Sequence, residues 1–493
     1  MNYKSTRGLA PQMNVCQAII KGIASDKGLY VPESFPKLDA DWSRLSKLTY
    51  KELAQEVLAP YLPEFSAQEL KACIDGAYDG KYSAKEIVPV VKAGGAYFLE
   101  LYHGPTAAFK DMALQLMPRL LTESIRKEGE EKTVVILVST SGDTGTAALK
   151  GFENVPGTQI VVFFPDGAVS PVQEQQMRTA SGSNAHVFSI MGNFDDAQTT
   201  QKQILNDPEL AEKMAAKGYT FSAANSMNVG RLLPQIVYYV WGYAQLVAKG
   251  AVKAGDPVNI CVPSGNFGNI LSAYYAKQMG VPVGRLICAS NKNKVLTDFI
   301  NTGVYDANRE FYVTNSPSMD ILISSNLERL LYHLAGGDPA EVRSLMDQLA
   351  DCGKYTVGDQ VKKGLDALFS AGYADEAEIE SAIGKLYKDE HYLMDTHTAV
   401  GYKVWKDYAE KTGDRTPALI ASTASPYKVA ASIAESIGLE QGADPFETIE
   451  LLNKETGAPV PEGLKNLKAR KVIHKEAIKR QDMKQRVAQL LGL

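Results

Sequence analysis

Short apolar runs alternate with helical segments over most of the chain. Such runs are rich in β-branched residues and too short for helices, which predicts buried strands of parallel sheets. A first series of strands is predicted at Tyr97–Leu101, Val134–Val138, Ile160–Phe164, His186–Ile190 and Thr220–Ala223. A second series is predicted at Val258–Val262, Leu286–Ala289 and Ala418–Ser422. This alternation predicts an α/β fold.

The same pattern divides the chain into three regions. Residues 1–95 are rich in helix formers and turn-forming prolines, and they are predicted to form an N-terminal helical cap. Residues 96–240 hold the first strand series, and residues 241–493 hold the second in a larger α/β domain. Within the larger domain, residues 321–390 or so are helical and charged. We expect them to form an insertion that decorates this domain.

Two predicted strands end in turns that are rich in glycine and in hydroxyl or amide side chains. The turn STSGDTG spans Ser139–Gly145, and the turn PSGNFGN spans Pro263–Asn269. A helix that begins after such a turn presents free N–H groups and the positive end of its dipole, so it can bind an anion. Neither turn has the Gly-Lys-Ser/Thr of a Walker loop or the G-x-G-x-x-G of dinucleotide-binding folds.

The segment HGPTAAFKD, residues 103–111, contains a lysine that directly follows three apolar residues. Burial of Lys110 beside Ala107, Ala108 and Phe109 would lower the pKa of its amine. An amine with a lowered pKa is suited to Schiff-base chemistry. The alternative is an amphipathic helix start whose lysine reaches solvent, which is common for lysine. The two anion-binding turns in the same α/β chain favour the chemical interpretation.

These segments resemble the threonine synthases, which are pyridoxal-phosphate enzymes built like the tryptophan synthase β chain. The resemblance also covers Ser5–Gly8 and Gly28–Pro32 near the N-terminus, the segment SAANSMNVGRLLPQ at Ser222–Gln235, and STASPYK at Ser422–Lys428. It implies a fold-type-II enzyme in which two open, twisted α/β domains hold the cofactor between them.

The resemblance assigns the cofactor residues by position. Lys110 would hold pyridoxal phosphate covalently, and Thr423 would set a neutral hydroxyl against the pyridine nitrogen. Asp143 occupies the position where many relatives carry an Asn that contacts the ring hydroxyl. The 5′-phosphate would be held by Gly265, Asn266, Phe267, Gly268 and Asn269.

The resemblance also implies the reaction, the conversion of O-phosphohomoserine and water to threonine and phosphate. This lyase reaction is the last step of threonine biosynthesis. The substrate phosphate would be held by residues of the SGDTG turn and of the 222–235 segment, namely Ser141, Thr144, Ser226, Asn228 and Arg231. A capped helix with a surface arginine is the alternative for the 225–231 cluster.

Two other functions compete with this interpretation. A threonine or serine dehydratase of the same fold would need no site for a substrate phosphate. Ser425–Lys428 also fits the S-x-x-K motif of serine acyl-enzymes, and Lys411–Gly413 fits K-T-G. Those two motifs stand in the reverse order, with no S-D-N between them, so they are interpreted as chance matches.

The amino-acid composition limits which classes of binding partner are expected. The 493 residues carry 57 acidic and 52 basic side chains, a formal charge of −5, which argues against general nucleic-acid binding. We expect neither nucleic-acid nor membrane partners. The resemblance implies a small-molecule substrate, and the protein is expected to be a monomer or a homodimer. The start of the chain lacks the apolar core of a signal peptide, which favours a cytoplasmic location.

Histidines and cysteines do not show metal-binding spacings, so no metal site is expected. His391 and His397 are expected to mark a helix end, and Cys261 and Cys288 to be buried, reduced residues of strands. The segment Lys465–Arg486 has nine basic side chains against two acidic ones, and we expect it to form a solvated helical face.

Overall fold

The computed structural model describes residues 1–140, 142–192 and 194–493. Its N-terminal region contains a two-stranded antiparallel sheet, in which Tyr3–Ser5 pairs with Tyr30–Pro32. Thr49 and Ser66 each begin a helix through a capping box, which satisfies N–H groups of the first turn. The helices of this region are Val15–Lys21, Trp42–Leu45, Tyr50–Leu58 and Ala67–Tyr78, with a 3-10 turn at Ala59–Tyr61.

The larger sheet has six strands, and all neighbours in it are parallel except the last pair. In spatial order they are Phe369–Tyr373, Val283–Ser290, Val258–Pro263, Ala418–Ser422, Ala96–Glu100 and Val90–Ala93. The two central strands are buried on both faces, which explains their mostly apolar sequences. The helices that follow the strand Val258–Pro263 are Gly268–Met279, Val295–Thr302, Leu327–Leu334, Pro339–Cys352, Asp359–Leu368, Glu376–Glu390, Thr396–Thr412, Ala430–Ser436 and Pro445–Thr456.

The smaller sheet has five parallel strands. In spatial order they are Ala477–Lys479, Ala185–Met191, Thr158–Pro165, Thr133–Ser139 and Tyr219–Ser222. The helices of this part of the chain are Lys110–Leu114, Met117–Lys127, Asp143–Phe152, Pro171–Arg178, Phe194–Leu205, Pro208–Ala216, Val229–Ala248 and Met483–Leu491. The two sheets confirm the α/β prediction, and each strand predicted from the sequence is present.

The sheets do not follow the predicted boundaries between residues 96–240 and 241–493. Ala96–Glu100, predicted to open the first series, pairs with Ala418–Ser422 in the larger sheet. The predicted insertion at about 321–390 supplies Phe369–Tyr373, the edge strand of that sheet, and is therefore part of it. A further short antiparallel pair, Val304–Asp306 with Lys354–Thr356, lies outside both sheets.

The basic C-terminal segment also differs from its prediction. Instead of one solvated helical face, it contributes the strand Ala477–Lys479 to the smaller sheet. The helix begins only at Met483, and Met483 and Val487 are buried against that sheet. Its charges form ion pairs with this part of the fold, such as that of Lys484 with Asp207.

The helix Val229–Ala248 runs through the middle of the molecule. It contacts the helices Gly268–Met279, Tyr50–Leu58 and Lys110–Leu114. Almost every residue in it is buried, which matches its apolar composition on all sides. The carboxyl ends of the parallel strands in both sheets lead into the segments singled out by the sequence, as is usual for ligand sites in open α/β sheets.

Three compositional expectations can be compared with the structure. Cys261 and Cys288 are buried and free, as predicted. Within the described ranges, no helix is long and apolar enough to cross a bilayer. In the same part of the chain, no group of three or more His, Cys, Asp or Glu side chains could hold a metal ion.

Candidate active site

The lysine segment is joined to the segment that follows the strand Ala418–Ser422. The Phe109 N–H donates to the Thr423 carbonyl at 2.7 Å, and the Ser425 N–H donates to the Ala107 carbonyl at 3.0 Å. Ala107 has a left-handed backbone, with φ of 60°, where the chain turns into the helix Lys110–Leu114. These bonds bring Lys110 and Thr423, which are remote in sequence, to one site.

The Lys110 amine is mostly enclosed, with 13% of its side chain exposed. Its Nζ lies 3.4 Å from Ser318 Oγ and 3.6 Å from Asp143 Oδ2. Burial lowers the pKa of Lys110, and the charges of Arg231 and Lys428 lower it further, while Asp143 acts in the opposite direction. The predicted lowering of the pKa by burial is confirmed, and the alternative of a solvent-exposed lysine is wrong.

Asp143 is the first residue of the helix that follows the SGDTG turn. Its Oδ1 lies 2.7 Å from Lys428 Nζ and accepts a hydrogen bond of 2.9 Å from Gln173 Nε2. Burial alone would raise the pKa of Asp143, but Lys428 and Lys110 hold it well below the usual carboxyl value. Asp143 is therefore ionised and can only accept hydrogen bonds.

Two candidates for the substrate phosphate lie in the same turn. Thr144 is half-buried in the first turn of the helix Asp143–Phe152. Ser141 lies outside the described residues, so its assignment stays a prediction.

The second glycine turn connects the strand Val258–Pro263 to the helix Gly268–Met279. Two carbonyl groups of the turn accept hydrogen bonds from residues outside it. The Asn266 carbonyl accepts from both the backbone N–H and the Nδ2 of Asn326, each at 3.0 Å. The Gly265 carbonyl accepts from Ser324 Oγ at 2.7 Å. Phe267 adopts a left-handed backbone with φ of 65° just before the helix. The first N–H groups of this helix lack intrahelical acceptors and are available to an anion.

This turn fits the phosphate expected from the resemblance. The Oδ1 of Asn269 accepts from the Tyr239 hydroxyl, while its Nδ2 is buried without a partner in the described structure. A Cβ at Gly268 would make only ordinary van der Waals contacts, the nearest with Asn326 Nδ2 at 3.5 Å, so the protein does not crowd this position. A buried donor without a partner in the described structure, at a helix start, is an arrangement that can bind an anion.

Thr423 lies at the carboxyl end of a central strand of the larger sheet. It is buried, and its N–H donates to Thr398 Oγ1 at 3.2 Å. The structure therefore fixes its backbone beside the lysine segment. The contact of its hydroxyl with a pyridine nitrogen stays a prediction.

The polar cluster at residues 225–231 separates into residues with different roles. Asn228 caps the helix Val229–Ala248: its Oδ1 accepts from the Gly230 N–H at 2.8 Å. Its Nδ2 donates to the Ile19 and Ala223 carbonyls, both at 2.9 Å. The side chain is fully buried and both hydrogens of its amide are donated, which favours the helix-capping alternative. The assignment of Asn228 to substrate binding stays a prediction.

Arg231 is not a surface residue, so that part of the alternative is wrong. Only 4% of it is exposed, and burial lowers the pKa of its guanidinium to about 10. Its NH1 group donates to the Ala224 carbonyl at 3.2 Å, and its Nε has no partner among the described residues. A buried cation without a carboxylate partner is costly, and an anionic ligand would offset this cost.

Ser226 is brought to the phosphate turn by a third segment. Its hydroxyl lies 3.2 Å from Ser325 Oγ and accepts from Asn326 Nδ2 at 3.3 Å. Arg329 fixes that segment, since it donates to Asn326 Oδ1 and to the Met227 carbonyl, both at 2.6 Å. Asn326 and Arg329 therefore hold both candidate phosphate sites, the turn with Asn266 and the segment with Ser226, in place.

Several residues at this site were missed by sequence reasoning. Lys428 belongs to the quoted STASPYK segment, but no pattern shows that its ammonium reaches Asp143. His391 and His397 both lie at helix ends, as expected: His391 ends the helix Glu376–Glu390, and His397 is in the first turn of the helix Thr396–Thr412. The sequence did not show that His397 is buried beside Ser318. Ser318 lies in a turn without a recognisable motif.

Ser425 accepts from the Tyr427 N–H at 3.3 Å and caps a turn, which agrees with a chance S-x-x-K match.

Comparisons with known proteins find two families that match this chain. The family described as threonine synthase N terminus matches residues 2–78, and that described as pyridoxal-phosphate dependent enzyme matches residues 88–423. Threonine synthase-like 1 of Homo sapiens is 40% identical over 86% of this chain, and the chain spans 58% of the length of that protein. Threonine synthase of Schizosaccharomyces pombe is 38% identical over 87% of this chain and 88% of its own length. The crystal structure of PLP-bound threonine synthase from Brucella melitensis has a TM-score of 0.88 and 35% identity, covering 100% of this chain and 98% of the other.

Proposed function

Since this chain belongs to the threonine synthase family of pyridoxal-phosphate-dependent enzymes, we propose that it converts O-phospho-L-homoserine and water to L-threonine and phosphate. It would act as a lyase in the last step of threonine biosynthesis. The cofactor is pyridoxal phosphate, and the two open α/β sheets are those of a fold-type-II enzyme.

One observation carries the choice of substrate. Arg231 is a buried guanidinium without a carboxylate partner in the described structure, and its charge acts on the Lys110 amine. The phosphate of the cofactor has a separate candidate site at Gly265–Asn269. Arg231 thus offers a second anion site near the reacting lysine. A phosphorylated substrate needs such a site, whereas a dehydratase of threonine or serine does not.

The residues divide the work of the reaction. Lys110 holds the cofactor covalently, and once released it moves protons at the substrate Cα and Cβ as an amine of lowered pKa. When bound, pyridoxal phosphate withdraws electrons from the substrate carbons. Thr423, as a neutral hydroxyl, would leave the ring nitrogen unprotonated and so restrain that withdrawal.

The leaving phosphate is assigned to Arg231, Ser226 and the SGDTG turn with Ser141 and Thr144. Fixed donors there stabilise the negative charge that develops as the bond to the γ-carbon breaks. Asp143 is ionised, so it acts at the cofactor site as an acceptor and as a counter-charge, without donating to the ring hydroxyl.

Product analysis tests the proposal. The purified protein loaded with pyridoxal phosphate is given O-phosphohomoserine, and phosphate and threonine are measured together. Equal amounts of both are expected, with no 2-oxobutyrate from added threonine. The variant Lys110→Ala serves as the control, and it should lose both products and the visible absorbance of the lysine-linked cofactor. Rapid 2-oxobutyrate formation from threonine without phosphate release would overturn the proposal in favour of a dehydratase.

A cytoplasmic location and a monomeric or homodimeric state remain predictions from the sequence.

A further inference from the structure

The 3-10 turn Pro317–Met319 contacts two parts of the site at once. Ser318 Oγ lies 3.4 Å from Lys110 Nζ and 3.3 Å from Asp143 Oδ2. The backbone of the turn lies against the phosphate loop so closely that a Cβ at Gly265 would be 2.8 Å from the Ser318 carbonyl oxygen. No motif in the sequence marks this turn, and the reaction scheme above does not use it.

We propose that Ser318 is a catalytic residue that orients the Lys110 amine, and that His397 and Asp395 are positioning residues that hold Ser318 in place. This inference rests on the proposed role of Lys110 as the cofactor lysine.

The direction of the two hydrogen bonds follows from the charge of Asp143. An ionised carboxylate can only accept, so the Ser318 hydroxyl donates to Asp143. The remaining lone pairs of Ser318 Oγ then accept an N–H from Lys110. A neutral amine held through one of its N–H bonds keeps its own lone pair free. That lone pair is what Lys110 needs to attack a carbonyl carbon or to take a proton from the substrate.

His397 fixes the backbone of Ser318. The Ser318 N–H donates to His397 Nε2 at 3.2 Å, and His397 Nδ1 lies 2.6 Å from Asp395 Oδ2. Because Asp395 accepts from Nδ1, that nitrogen carries the proton and Nε2 is left as the acceptor. Asp395 is fully buried and caps the helix Thr396–Thr412, accepting from the Thr398 N–H at 3.0 Å.

Further contacts make the turn a rigid element. Thr396 Oγ1 donates to the Asn315 carbonyl at 2.7 Å, so the same helix start ties down a second residue of the segment. On the other side, Asp320 accepts from Asn291 Nδ2 at 2.7 Å and from Asn293 Nδ2 at 3.0 Å. With both flanks held, the position of Ser318 Oγ is set by the fold, as orientation of a reacting group requires.

The test measures how fast Lys110 reacts with the cofactor. Cofactor-free protein is mixed with pyridoxal phosphate, and the visible absorbance of the lysine-linked form is followed with time. Ser318→Ala should slow the reaction about tenfold, the loss expected when one hydrogen bond to the reacting group is removed. Ser318→Thr retains the hydroxyl and should stay close to the wild-type rate.

Matched variants of His397 separate its two contacts. His397→Gln can still present an acceptor to the Ser318 N–H, whereas His397→Asn is too short and keeps only the contact with Asp395. We expect the Gln variant to recover most of the rate that the Asn variant loses. Ser381→Ala and His391→Asn, at exposed positions of the helix Glu376–Glu390 and its end, are controls for the two kinds of substitution.

A second probe distinguishes orientation from general damage. Pyridoxamine 5′-phosphate has the same phosphate and ring but does not react with a lysine, and its affinity should be unchanged in Ser318→Ala. Equal losses with both probes would overturn the inference, because the serine would then serve only to shape the pocket. A wild-type rate in Ser318→Ala would overturn it as well. If instead Lys110→Ala still forms a borohydride-reducible link, the proposed site itself is wrong.

Discussion

Lys428 Nζ lies 2.7 Å from Asp143 Oδ1, and both side chains are buried. The ammonium also donates to the Thr106 carbonyl at 3.1 Å and to Gln176 Oε1 at 3.2 Å. This pair explains how a carboxylate is accommodated at this buried position. The negative charge is compensated from within the site, and Lys428 is itself anchored to the start of the lysine segment.

The first prediction concerns the stability of this buried pair. Lys428→Met removes the cation and leaves Asp143 with the more distant Lys110 as its remaining ion-pair partner in the described structure. We expect the free energy of unfolding of the cofactor-free protein to fall by about 3–5 kcal/mol, measured by urea denaturation. The double variant Lys428→Met/Asp143→Asn removes both charges and should recover part of this loss. Strictly additive losses in the two single variants and the double variant would mean that the pair does not interact.

The second prediction concerns pH. Burial lowers the pKa of Lys110, and Asp143 opposes this shift because its carboxylate stabilises the ammonium form. Asp143→Asn removes the opposing charge, so the pKa of Lys110 should fall further. The rate at which Lys110 links to pyridoxal phosphate needs the neutral amine, and its rise with pH should therefore move to lower pH. Stopped-flow absorbance over a pH series measures this shift, and a shift to higher pH would contradict it.

The third prediction compares two glycines of the phosphate turn. A Cβ at Gly265 would lie 2.8 Å from the Ser318 backbone oxygen, so Gly265→Ala should lower thermal stability even without cofactor. A Cβ at Gly268 would meet nothing closer than 3.5 Å, so Gly268→Ala should keep the stability of the cofactor-free protein. It should nevertheless bind pyridoxal phosphate more weakly, because the methyl group would occupy the space assigned to the phosphate. Normal cofactor affinity in Gly268→Ala would place the phosphate elsewhere.

The strands and the burial of Lys110 could be predicted from the local sequence alone. Runs such as Val134–Val138 are apolar because both faces of their sheet are covered, and the neighbours of Lys110 predict burial of its amine. Contacts between remote segments could not be predicted. Lys428 and Asp143 are separated by most of the chain, and the pairing of Ala96–Glu100 with Ala418–Ser422 is equally non-local. A capping Asn and a ligand-binding Asn look the same in sequence, so the sequence left both roles open for Asn228.

The fourth prediction concerns Thr423. Thr423→Asp would place a carboxylate against the ring nitrogen, which favours the protonated form and makes the cofactor a stronger electron acceptor. We expect less threonine and more 2-oxobutyrate per molecule of O-phosphohomoserine consumed, measured by product analysis. Thr423→Ser is the matched control, since it retains a neutral hydroxyl. An unchanged product ratio in a cofactor-loaded Asp variant would mean that residue 423 does not face the ring nitrogen.

The fifth prediction concerns Arg231, whose guanidinium is buried without a carboxylate partner in the described structure. If it holds the substrate phosphate, Arg231→Lys keeps the charge but loses the planar pair of donors, so kcat/KM for O-phosphohomoserine should fall. Arg231→Ala should do worse and reduce transition-state binding by about 2–4 kcal/mol, because a fixed donor to the developing charge is lost.

Cofactor occupancy separates this role from damage to the pocket. The 5′-phosphate is assigned to the turn Gly265–Asn269, so both Arg231 variants should bind pyridoxal phosphate as the wild type does. Arg231→Ala removes a buried, partly unpaired cation, so the cofactor-free variant should be at least as stable as the wild type. If the arginine had a structural role instead, its removal would lower the unfolding midpoint. Wild-type kcat/KM in both variants would contradict the assignment. The substrate phosphate would then have to bind at the turn that contains Thr144.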